Sequence, residues 1–266
     1  MRNKEQALAT KYLQKDAGSD GRNLHNAQAL AQLQKKIGIA FRNPALLSEA
    51  LTHRSFLNEV PKEKRERFAH NERLEFLGDA VLELAVTDKL YRMFPGVPEG
   101  KLTDYRSALV NMTSLAETAD KLGLNDFLLL SQGEVKGPDR ARERILENAF
   151  EALVGAIYID RGFGVATLFL DDVLFVKIDT IIAGRQYLNP KSHFQEIVQE
   201  REKVTPHYET LKETGTDHEK VFRIGVFFGE RLVAEGDGKS KQEAEQDAAR
   251  KALEKEYGIV LKNSSL

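Results

Sequence analysis

Apolar positions recur with a helical period from about Leu24 onward, and Leu30, Leu33 and Ile37 fall on one face before Gly38 stops the pattern. Asn43 followed by Pro44 reads as a cap and a first helical position, opening the run ALLSEAL. A charged connection, PKEKRERFAH, occupies 61–70. Helices are then expected at 71–93, 98–122, 140–159 and 165–182, punctuated by Phe94-Pro95-Gly96, by Gly123 and by Arg161-Gly162. After Gly184 the period changes. KSHFQEIVQERE is a short amphipathic helix, while VTPHYETLKETG, KVFRIGVFFG and ERLVAEGDG alternate as strands with turn residues between them. SKQEAEQDAARKALEKEY closes as a helix rich in Ala, Lys, Glu and Gln. The fold class is therefore multidomain, with an all-α domain followed by a small α+β domain of order α-β-β-β-α. The expected boundaries are a flexible lead at 1–23, the helical domain at 24–183, a linker at 184–190, the small domain at 191–258 and a tail at 259–266. Phe194, Ile197, Val198, Phe222, Ile224, Val226, Ala244, Ala248 and Leu253 are the expected core of the small domain.

Composition narrows the chemistry. The 266 residues are 41% hydrophobic and 30% charged, a soluble globular profile. No apolar run reaches the length of a bilayer span and the first 23 residues carry no hydrophobic signal core, so a cytoplasmic chain with no membrane partner is expected. The absence of cysteine excludes disulfides, thiolate metal sites and cysteine nucleophiles. Net charge is -2, and residues 191–266 hold 13 basic and 15 acidic residues, so any nucleic-acid contact must rest on local placement.

The segment NERLEFLGDAVL at 71–82 places Glu72, Glu75 and Asp79 at spacings of three and four, on one helix face. Leu74, Leu77, Val81 and Leu84 are expected on the opposite face, with Phe76 and Leu82 flanking the acids. Clustered carboxylates repel, and desolvation strengthens that repulsion; a divalent cation relieves both. The ordinary alternative is a solvated face with acids near a helix N-terminus. Gly78 lies mid-helix, where glycine costs about 1 kcal/mol against alanine, so another helix or a ligand must approach its backbone. Asn148 and Glu151 in ENAFEA share a second polar face, and Glu99 follows a turn as a further acid. His53 in LTHRSF is read as structural.

NERLEFLGDAVL resembles the signature of the ribonuclease III family over twelve consecutive positions, supported in order by LTHRSF at 51–56, PEG at 98–100 and ILENAFEALVGAIYID at 145–160. The C-terminal segment resembles a double-stranded-RNA-binding domain. The resemblance implies a homodimeric, Mg2+-dependent endoribonuclease (Mn2+ substituting) that cuts both strands of double-stranded RNA. It implies 5′-phosphate and 3′-hydroxyl ends, and roles in processing ribosomal precursor, messenger and other structured RNAs. By matched position, Glu75, Asp79, Asn148 and Glu151 fall at metal-coordinating places, with Asp79 and Glu151 at the two treated as indispensable. Glu72 and Glu99 fall at accessory acidic places, and Phe76 at that of an aromatic which plugs into the partner subunit. The family usually carries Asp where this chain has Asn148. That departure keeps open a catalytically weak or inactive double-stranded-RNA-binding protein on the same fold. A helical nucleotide phosphohydrolase is a further rival, opposed by the C-terminal domain.

An A-form duplex is contacted across two minor grooves and the phosphates between them. Three regions of the small domain suit that geometry: Gln195 and Glu196 on the first helix, His218 in the loop GTDHEK, and Lys239 with Lys241 where the last helix starts. These match the three contact regions of the family, except that Gln242 stands where a second basic residue is common.

Overall fold

The computed structural model describes His25 and residues 27–183, 189–215 and 220–261. The expected lead at 1–23, His218 and most of the expected linker lie outside the described residues. Contacts divide the chain into two units between Ile178 and Asp179.

The first unit begins with α1 (Ala27–Ile37) and α2 (Pro44–Ala50). Asn43 caps α2, its side chain accepting from the Ala45 amide, and Pro44 takes the first helical position. Two 3-10 segments, Arg54–Glu59 and Lys62–Arg67, lead to α3 (Glu72–Met93), which runs 22 residues. The first 3-10 segment is capped by His53, whose Nδ1 accepts from the Ser55 amide.

The expected helix at 98–122 is two helices, α4 (Glu99–Val110) and α5 (Met112–Lys121). Asn111 breaks it: its Oδ1 accepts from Ser114 N at 2.9 Å while its amide donates to the carbonyls of Ser107 and Ala108. A short polar side chain thus competes with the helical ladder on both sides of one residue. After the single turn α6 (Gln132–Val135) comes α7 (Asp139–Arg161), then α8 (Phe163–Val173). The expected helix at 165–182 also ends early, continuing as a 3-10 turn, Phe175–Lys177, and α9 (Ile178–Ala183).

α7 is the axis of the first unit. Its buried residues include Ile145, Leu146, Ala149, Phe150, Leu153, Val154 and Ile157, so neighbours cover it on several sides. Its most extensive partner is α3, whose buried stripe is Leu74, Gly78, Val81, Leu82, Ala85, Val86 and Leu90. Leu84 departs from expectation and is 59% exposed, because the buried stripe drifts toward Ala85. Buried Asp160 accepts from the amides of Arg42 and Asn43 at 2.7 and 2.8 Å, tying the end of α7 to the start of α2.

The second unit holds α10 (Pro190–Arg201), β1 (His207–Thr214), β2 (Val221–Phe228), β3 (Arg231–Gly238) and α11 (Lys241–Tyr257). The three strands form one antiparallel sheet in the order β1-β2-β3. Phe194, Ile197, Val198, Val226, Val233, Ala248, Ala249, Ala252 and Leu253 form its core. Phe222 is only half-buried, with the Lys241 ammonium 5.8 Å from its ring centre.

Candidate active site and nucleic-acid interface

The two acidic faces meet where α3 crosses α7. A Cβ on Gly78 would overlap the Glu151 carbonyl oxygen, and one on Gly155 would overlap that of Leu74. The helices therefore touch backbone to backbone, and the approach that Gly78 requires is made by a helix. Asp79 follows Gly78 directly, and Glu75 lies three residues before it, so the crossing brings both to the face where α7 presents Glu151.

The carboxylates feel one another strongly. Burial, then the charges of Asp79, Glu147, Glu75 and Glu83, push the Glu151 carboxyl up to about 8. Glu75 is also raised, first by burial and then by Glu72 and Glu147, against the opposing pull of Arg144 and a hydrogen bond from Asn148. Asn148 and Glu75 are both half-buried. Asp79 is exposed beside them.

The accessory acids have partners of their own. Glu72 accepts from Arg54 at 3.3 Å and lies 3.7 Å from His70 Nδ1. Glu99 opens α4 and accepts from the Thr103 hydroxyl at 3.1 Å. Phe76 is 82% exposed, on the flank of α3 that also carries exposed Leu84 and Tyr91.

Glu147 and Glu83 belong to the cluster, yet the sequence reading does not single them out. Glu83 continues the α3 stripe four residues after Asp79, and Glu147 sits four residues before Glu151. The i,i+4 rule could have found both. Glu83 is further held by Arg106 at 3.1 Å.

Among the described residues, no three His, Cys, Asp or Glu side chains converge as the ligands of a metal do. The donor set nevertheless has the character of a hard-cation site. It offers carboxylate and amide oxygens from two helices, with repulsion around Glu151 that a dication would relieve. Glu75, Asp79, Asn148 and Glu151 are the side chains able to contribute oxygens there.

In the second unit, Gln195 and Glu196 are exposed on α10. Lys239 and Lys241 are exposed where α11 begins, with Ser240 as the cap accepting from Glu243 N at 3.2 Å. Lys241 also lies 3.5 Å from Glu213. The start of α11 thus carries two lysines beside the positive end of a helix.

Comparison with known proteins agrees with this division. A ribonuclease-III-like family model matches residues 43–178, and a double-stranded RNA binding motif matches residues 190–256. Ribonuclease 3 of Carboxydothermus hydrogenoformans is 45% identical over 225 residues, covering 85% of this chain and 94% of that protein. Ribonuclease 3 of Bdellovibrio bacteriovorus is 42% identical over 231 residues, covering 86% and 97%. The nuclease domain of ribonuclease III from Campylobacter jejuni is 39% identical over 54% of this chain and 94% of its own, with a TM-score of 0.48. An acidic crossing in the first unit and a duplex-binding module in the second, each inside its own matched model, place this chain in the ribonuclease III family.

Proposed function

We propose that this chain is an endoribonuclease of double-stranded RNA, dependent on Mg2+ and working in the cytoplasm on structured RNAs such as ribosomal precursors. The observation that carries this reading is the crossing of α3 and α7, which sets Glu75 and Asp79 where their charges act on Glu151. Glu75, Asp79 and Glu151 would hold the cation, with the oxygen of Asn148 alongside. Mg2+, when bound, supplies an acidified water and positive charge against the scissile phosphate, leaving 5′-phosphate and 3′-hydroxyl ends. The chain's own part is positional. Backbone contact at Gly78 and Gly155 fixes the separation of the acid-bearing helices. Burial and its acidic neighbours push the Glu151 carboxyl up to about 8, so cation binding there would be coupled to release of a proton.

Gln195, Glu196, Lys239 and Lys241 would meet the duplex from the second unit, where contact to phosphate needs only local charge. The exposed Phe76, Leu84 and Tyr91 on α3 support a homodimer that covers this apolar flank. Such an arrangement would set two acidic sites on one duplex, one for each strand.

The test is cleavage of a long RNA duplex by the full chain, with Mg2+, with Mn2+ and with excess chelator. Metal-dependent cutting of the duplex, with single strands and free nucleotides spared, is the expected result. Duplex binding without cutting at any metal concentration would make the chain a binding protein instead. Hydrolysis of free nucleotides would replace the nuclease reading with that of a phosphohydrolase.

A further inference from the structure

Just ahead of the helix crossing, the first unit has a cavity of about 420 Å³. Its polar lining includes His53, Arg54 and Ser55 at the first 3-10 segment, Arg65 in the second, Glu72 at the start of α3 and Glu134 in α6. The donors in its wall are fixed by hydrogen bonds. The Ser55 amide at 3.3 Å donates to His53 Nδ1, and the Ser55 hydroxyl lies 2.8 Å from the same nitrogen. Nδ1 is therefore the accepting nitrogen, and Nε2 carries the proton. Ser55 Oγ accepts in turn from Ser131 N at 3.1 Å, which anchors the pair. No described residue takes the Nε2 proton. Arg65 is pinned by its Nε on the Val60 carbonyl at 3.0 Å and an Nη on the Asn58 carbonyl at 3.3 Å. Arg54 is held by Glu72 at 3.3 Å. Glu134 is half-buried.

This mixed lining narrows the ligand. Two carboxylates disfavour a bare anion, while two guanidiniums and an imidazole N–H disfavour a bare cation. One nucleotide unit of an RNA strand carries both complements: a phosphate, which accepts, and a 2′-hydroxyl, which donates. Glu72 ties the cavity to the reaction. It lines the cavity, and Glu75 follows three residues on, about 5 Å along the same face of α3. A strand laid over the acidic face thus runs past the cavity.

We propose that this cavity takes one ribose-phosphate unit of the duplex beside the cut, with Arg54, Arg65 and His53 Nε2 on the phosphate and Glu134 accepting from the 2′-hydroxyl, and so makes the first unit selective for RNA over DNA. The inference rests on the nuclease reading given above and deepens it. Glu134 is the discriminating residue, because a carboxylate placed to accept from a hydroxyl is left unpaired by the deoxy analogue.

The test is Mg2+-dependent cleavage by the full chain of an RNA duplex with a single cut site, and of copies carrying one 2′-deoxynucleotide at successive positions on either side of the cut. For wild type, one position should lower kcat/KM by about tenfold, the scale of a hydrogen bond to a charged group. Glu134→Leu removes the acceptor. It should cut the all-ribose duplex about tenfold less efficiently and lose nothing more to the deoxynucleotide at that position. Glu134→Ala repeats the comparison with a smaller side chain, should the leucine variant not fold. Glu134→Gln keeps a carbonyl acceptor and should retain most of the rate and of the deoxy penalty. A glutamate that merely supported the fold would lower the rate on both duplexes alike and leave the penalty in place. A wild type that loses less than about twofold at every position, or an acceptor-less variant that still loses about tenfold, overturns the proposal while leaving the nuclease standing. If wild type cuts no duplex at all, the nuclease reading fails and takes the proposal with it.

Discussion

The second unit and the helix crossing of the first treat their acids in opposite ways. In the second, carboxylates are matched by cations: Asp237 with Arg223 at 2.8 Å, Glu256 with Arg231 at 3.1 Å, Glu245 with Lys191 at 2.6 Å, and Asp247 with both Arg250 and Lys251. Burial would raise Asp247, but hydrogen bonds from Lys251, the Asp237 amide and Arg250 outweigh it and hold the carboxyl below its usual range. At the helix crossing of the first unit, Glu151 is pushed up by burial and by the charges of four other acids. A stable fold neutralises its charges internally. A site that keeps several of them unneutralised gives up stability, and the missing counter-charge must come from a ligand.

This contrast breaks most visibly at Glu151. Glu151→Gln should reduce duplex cleavage by more than about a hundredfold, since losing a direct ligand exceeds the cost of losing its supports. Duplex affinity, measured in the same preparation, should be unchanged because the RNA-binding surface lies in the other unit. Cleavage within a few-fold of wild type would refute the crossing as the active site.

Phe76→Ala asks whether the exposed flank of α3 is an interface. It should raise the dimer dissociation constant by at least about tenfold in sedimentation equilibrium, as expected for a central aromatic anchor. A monomeric wild type that cuts both strands would count against the dimer.

The duplex-binding side is probed by Lys239→Ala with Lys241→Ala. Affinity for a duplex should fall about tenfold at physiological salt, and the salt dependence should flatten by about two phosphate contacts. Cleavage at low salt should persist. An unchanged salt slope would remove the start of α11 from the interface.

Opposite pH slopes give the sharpest form of the comparison. The Glu151 carboxyl sits near 8 in the folded chain against an ordinary 4.5, so the folded state binds more protons between those values. Stability in chelator should therefore fall as pH rises through that window, and Glu151→Gln should flatten the fall. Asp247 works the other way: its contribution is complete above the ordinary carboxylate value and is lost as pH falls through its depressed one. Asp247→Asn should cost about 1–2 kcal/mol at neutral pH and less in acid. Melting temperatures of each variant across pH check both signs.

Much of this was legible in the chain. The acidic face of α3 follows from spacings of three and four, and a mid-helix Gly78 announces a close neighbour without saying which. The alternation after residue 203 gives the sheet. What could not be read depended on contacts between elements. Glu147 stands one turn before Glu151 in the sequence, but that Asp79 acts on it shows only once α7 is laid across α3. Leu84 fits an apolar stripe whose drift is settled by packing, and Asn111 breaks a helix because its side chain finds three backbone partners. Asp160 is buried on two amides 117 and 118 residues away, which no local pattern contains.

The Gly78–Gly155 contact has a consequence for how the acids behave with temperature. A joint made of side chains has rotamers, and warming repopulates them. A joint made of an α-carbon against a carbonyl oxygen has none, and its length is set by atomic radii. The gap between Asp79 and Glu151 should hardly widen as the surrounding core loosens. Amides of α3 and α7 flanking the crossing should then exchange hydrogen only on global opening of the first unit, and the rate of the enzyme should follow the temperature dependence of its chemistry until the unit melts.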